Sequence, residues 1–170
     1  MASFLKELSL AIGLMSSDQS AVVKGEGWQG YVWRVRDVNH CIARDADDFC
    51  TLIRDRWDWK RDQRYSLSIR PDKPKNRLSV RLVLDNRDKT DDDNVCVAAV
   101  FYDRRGREIA ISFENWHSMP QDVMTGTDVL KPARKVGEIA RVAIGSKQCT
   151  PEAGDDVALF RGLRARIGQK

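Results

Sequence analysis

Between residues 65 and 84 the chain alternates with a period of two. Tyr65, Leu67 and Ile69 are separated by Ser66 and Ser68 and followed by Arg70. Leu78, Val80, Leu82 and Leu84 are separated by Ser79, Arg81 and Val83, with Arg77 ahead of them. Such alternation marks strands with one face in a core and the other toward water. Pro71 to Asn76 reverses the chain between them, which predicts a hairpin. Val95 to Tyr102 is apolar on both faces and predicts a central strand. Asp103-Arg104-Arg105-Gly106 is a turn sequence, and Arg107 to Phe113 returns as the next strand. Tyr31 to Arg36, β-branched and aromatic, predicts one more strand.

Elsewhere the apolar spacing is three to four. Phe4, Leu5, Leu8, Ala11, Ile12 and Met15 share one stripe, predicting an amphipathic helix over 1–16 with Ser3 as its cap. Ala46, Phe49, Cys50, Ile53 and Trp57 predict a helix over 45–59. Asp45 is its N-cap, acids lie at its start, and Arg54, Arg56 and Lys60 lie at its end. Val136, Ile139, Ala140 and Ala143, between Pro132 and Gly145, predict another helix. Val157, Phe160, Leu163 and Ile167 predict a last one after Thr150. The expectation is one α+β domain over 1–170. Its antiparallel sheet has about five strands, with helices packed mainly on one face. Strands fill 28–115 around the inserted helix 45–59, and C-terminal helices fill 129–168.

A chain of 170 residues is long enough to bury a core without a metal or disulfide staple. Cys41, Cys50, Cys96 and Cys149 form no CxxC pair and read as reduced thiols in a cytoplasmic protein. Lys6 and Glu7 interrupt the first apolar run, which argues against an export signal, and no run approaches the ~18 apolar residues of a membrane span. Net charge is +4, unevenly spread. Arg54 to Arg81 holds ten Lys/Arg against four Asp, and Lys131 to Lys170 nine against four Asp/Glu.

Specific chemistry is sparse. Gly25-x-Gly27-x-x-Gly30-x-Val32 has the spacing of a phosphate-binding glycine loop, but it leads into a strand. A dinucleotide loop opens a helix, and a kinase needs further motifs that are absent. His40, Cys41, Cys50, His117 and Cys149 lack the close pairing of a structural zinc site. Asp88 to Asn94 lacks the central Gly and terminal Glu of a calcium loop. No cofactor or catalytic group is singled out, and His40 and His117 lie in no nucleophile motif.

The informative surface is the polar side of the hairpin. Ser66, Ser68, Arg70, Arg77, Ser79 and Arg81 fall on one face, with Lys73 and Lys75 at the tip. Hydroxyls and guanidinium groups suit phosphate and ribose oxygens. Trp59, among Arg56, Lys60, Arg61 and Arg64, is placed to stack on a base. The expectation is a non-enzymatic nucleic-acid-binding protein. It prefers RNA, possibly double-stranded, held by its backbone on this Ser/Arg face. The competing expectation is an inhibitor or adaptor acting through its apolar first helix, with a homodimer through 4–15. An enzyme of unfamiliar geometry is the third.

Overall fold

The period-two segments form an antiparallel ladder in the computed structural model, which describes residues 28–57, 60, 62–90 and 92–169. The order is β1 (Val32–Asp37), β2 (Ala43–Arg44), β3 (Cys50–Arg56), β4 (Gln63–Asp72), β5 (Arg77–Asn86), β6 (Asp93–Asp103), β7 (Glu108–Ser118), β8 (Val123–Leu130), β9 (Ile139–Gln148) and α1 (Gly154–Ile167). Two sheets form, ordered β1-β9-β6-β7 and β2-β3-β4-β5-β8.

Three layers result. Leu67, Ile69, Leu78, Val80, Leu82 and Leu84 of the second sheet bury against Val95, Val97, Ala99, Phe101, Val142 and Ile144 of the first. The other side of the first sheet, with Cys96, Ala98, Val100 and Ile111, is covered by Phe160 and Leu163 of α1. β6 and β9 are therefore apolar on both faces because both faces are covered. Phe160 stacks on Phe113 at 4.8 Å and meets Tyr31 edge-on at 5.6 Å. Asp156 pins the helix start, accepting from the Tyr31 hydroxyl at 2.9 Å and pairing with Lys147 at 2.8 Å. Burial first, and the Asp156 charge second, push the Tyr31 phenol far above its usual range.

This overturns the α+β expectation. The protein is mostly β, with one α-helix among the described residues. The helix predicted over 45–59 is a turn followed by β3. A bulge explains its helical spacing: Thr51 pairs with Ser68 and Ile53 with Leu67, leaving Leu52 extra. An inserted residue breaks period-two alternation and mimics a three-to-four spacing. The helices predicted across 129–168 reduce to α1. The rest is β8, a 3-10 turn at Val136–Glu138, and β9. Val142 to Ile144 is a central strand between β1 and β6, so its run is apolar on both faces. Gly145 does not end a helix. A Cβ there would lie 2.5 Å from the Trp33 ring, so its bare backbone lets Trp33 pack against the strand.

The expectation of reduced cysteines is overturned: two are buried, Cys149 is half-buried and Cys41 is exposed, and all four are paired. Cys41 pairs with Cys50 and Cys96 with Cys149, with Cα separations of 5.4 and 5.8 Å. The amphipathic helix over 1–16, and the homodimer contact through 4–15, lie outside the described residues.

Candidate nucleic-acid interface

The β4–β5 register puts Ser68 opposite Arg81 and Arg70 opposite Ser79, while Leu67 and Ile69 face Leu82 and Val80. Paired residues in an antiparallel ladder point to the same side. The Ser/Arg row therefore does lie on the outer face of the second sheet, extended by Thr125 and Thr127 of β8.

Most of that row is occupied by the protein itself. The turn between β2 and β3 folds over it. Phe49 is buried, with the Arg81 guanidinium 3.9 Å and the Arg70 guanidinium 4.8 Å from its ring centre. Arg81 pairs with Asp45 at 2.5 Å and Asp47 at 3.5 Å, and Arg70 donates to the Asp47 carbonyl at 2.9 Å. The Phe49 amide, with smaller help from Arg81 and the Asp47 amide, holds the Asp45 carboxyl below its usual range, against the partial loss of its water. Ser68 and Ser79 are buried, Ser68 against the Thr51 hydroxyl at 2.9 Å, and Ser66 is half-buried. Trp59 lies outside the described residues.

The hairpin tip is different. Lys73, Lys75 and Arg77 are exposed there, beside Arg70. The tip is bound to the segment before β9: the Asn76 side chain donates to the Arg134 carbonyl at 3.1 Å and accepts from the Val136 amide at 2.7 Å. Lys73 extends along Gly137. Leu78 pairs with Leu130, so Lys131 also leaves the ladder at this end. Exposed Lys131, Arg134 and Lys135 thereby join the tip. Residues of both basic segments share one surface. Among the described residues, only Lys75 of these six has a carboxylate within ion-pair distance, Asp72 at 3.8 Å. A groove of about 630 Å³ beside the tip is lined by Arg70, Lys73, Lys75 and Arg77 together with Asp48 and Asp72. Sequence reasoning missed Lys131, Arg134 and Lys135. Their signal was the basic surplus after residue 131, which composition could not place in space.

Other chemistry is not assembled. Among the described residues no group of three or more His, Cys, Asp or Glu side chains is placed to hold a metal. His40 and His117 are exposed, His117 beside Asn94 at 3.2 Å. One acidic pair lies between the sheets, where Glu114 of β7 leans over Gly126 of β8. Burial first, then the Asp128 charge, raises the Glu114 carboxyl above its usual range, with Arg164 opposing. Asp128 accepts from Ser112 at 3.0 Å and from Arg164 at 3.4 Å.

No protein-family model matches this chain, and no curated protein matches it in sequence.

Proposed function

We propose that the protein binds nucleic acid by its phosphate backbone, without reading sequence, at the basic end formed by the β4–β5 tip and residues 131–135. The observation that carries this reading is the convergence of exposed bases from two distant segments. Five of them, Lys73, Arg77, Lys131, Arg134 and Lys135, have no acid within ion-pair distance among the described residues. Unneutralised cations close together release counterions when they meet phosphates, and this drives backbone binding. RNA is the preferred form, because the outer sheet face next to the tip carries the Ser66, Thr125 and Thr127 hydroxyls, which suit ribose 2′-hydroxyls.

The site thus moves from the middle of the Ser/Arg face to its end. Reversing three charges, Lys73→Glu, Lys75→Glu and Arg77→Glu together, is expected to weaken binding at least a hundredfold at low salt. Binding of RNA by the triple variant as tightly as by the unchanged protein contradicts the reading.

A further inference from the structure

The turn that blocks the sheet face is fastened by a bond from exposed Cys41 to the core residue Cys50. The Cys41–Cys50 disulfide closes a ring across a sequence separation of nine. Residues 41–48 are all exposed, so the disulfide joins an exposed residue, Cys41, to a buried one, Cys50. Between the two cysteines, Ala43 and Arg44 pair with Thr51 and Cys50 of β3 at the sheet's outer edge, and the Ile42 amide donates to the Thr51 carbonyl at 2.8 Å. The remaining grip on the face is Phe49 under the two guanidinium groups and the Asp45 and Asp47 contacts to Arg81 and Arg70. Asp48, from the same turn, lines the basic groove with Arg70 and Ser79. The covered face and the proposed binding end are therefore continuous.

We propose that the Cys41–Cys50 disulfide is a latch over a latent extension of the nucleic-acid surface, and that a dithiol reductant opens it. The ligand assigned to the uncovered face rests on the reading above; the latch itself does not. A reductant thiolate attacks the sulfur of exposed Cys41, the Cys41–Cys50 bond breaks, and Cys50 leaves as a thiolate that takes up a proton. The second reductant thiolate attacks the mixed disulfide and releases Cys41 as a thiolate, which is protonated in turn. Two electrons and two protons reach the protein, and the reductant ends as its own disulfide. Cys96 is fully buried between the first sheet and α1 and Cys149 is half-buried, so the second disulfide has no exposed partner like Cys41 and is less open to the same attack. Released from the ring, the turn frays from the sheet edge. Arg81 then loses its Asp45 and Asp47 carboxylates, the already exposed Arg70 loses the Asp47 carbonyl, and Ser68 and Ser79 are uncovered beside them.

The test compares unchanged protein, Cys41→Ser/Cys50→Ser protein, and unchanged protein in dithiothreitol. Hydrogen exchange reads the amides of Asp48 and Phe49, which now donate to Asp45. Phenylglyoxal labelling, located by peptide mass spectrometry, reads Arg70 and Arg81. The latch predicts that exchange at Asp48 and Phe49 rises at least tenfold and that Arg81 gains label relative to the already exposed Arg70, while β4–β5 ladder amides keep their protection. Titration with short duplex RNA then predicts a salt slope steeper by about one phosphate, for the released Arg81. Unchanged exchange and labelling in both opened forms overturns the latch. Opening without RNA binding by any form overturns the nucleic-acid reading and leaves the latch standing. Opening with RNA binding but an unchanged salt slope overturns the uncovered face as a binding surface. If the double variant loses its ladder protection, the dithiothreitol arm decides alone.

Discussion

Asp93 shows how one side chain anchors several elements. It is 4 % exposed, pairs with Lys60 at 2.5 Å, and accepts from Gln63 and Gln148 at 3.1 Å each. Removing it takes a buried carboxylate acceptor from Lys60, Gln63 and Gln148, so Asp93→Ala is expected to cost about 1–3 kcal/mol in denaturant unfolding. Gly145→Ala displaces the Trp33 ring from a fully covered strand and is expected to cost about 1–3 kcal/mol in the same measurement. Glu114 gives a pH signature. Its carboxyl is raised in the fold, so the folded protein holds a proton that the unfolded chain releases first. Its contribution is therefore present at low pH and is lost as pH rises from the ordinary carboxyl range through the folded value. Glu114→Gln is expected to be more stable than the unchanged protein near neutral pH and to lose that advantage in acid. Melting scans at both pH values check it.

At the scale of elements, the β4–β5 hairpin was legible because Leu67 and Ile69, and Leu78 to Leu84, alternate without interruption. The central place of β6 was legible from a run with no polar face. β3 was not, because the Leu52 bulge shifts Ile53 onto the core side and leaves a helical-looking stripe. β9 was not, because Val136, Ile139, Ala140 and Ala143 have helical spacing by coincidence, and only the neighbours β1 and β6 show why both its faces are apolar. The last helix was legible in its buried positions: Phe160 and Leu163 are buried, and Val157 and Ile167 pack beside them. Its partner was not. The end of the chain also finishes the sheet, since the Gln169 amide donates to the Ile111 carbonyl at 2.9 Å and accepts from the Ile111 amide at 2.6 Å. This caps edge strand β7, whose unpaired groups would otherwise invite another strand. Gln169→Ala is expected to cost about 1–2 kcal/mol, read from the unfolding midpoint.

At the scale of the whole molecule, the candidate site was half legible. Alternation placed Ser66, Ser68, Arg70, Ser79 and Arg81 on one side, and the register agrees. Local pattern carries no information about the Asp45–Phe49 turn folding back over them, or about Asn76 tying the tip to Arg134. Both depend on contacts far apart in sequence. The two disulfides also remove the reduced-thiol argument on which a cytoplasmic location stood.

The most direct test of the basic end is a fluorescence-anisotropy titration of the unchanged protein and the Lys73→Glu/Lys75→Glu/Arg77→Glu variant with short duplex RNA, across a range of salt. Log K is expected to fall with log salt at a slope of about −3.5 to −5.5, matching about four to six phosphate contacts, with little dependence on RNA sequence, and the variant is expected to lose both affinity and slope. Absence of binding at low salt, or equal slopes for the two proteins, would contradict binding at the basic end.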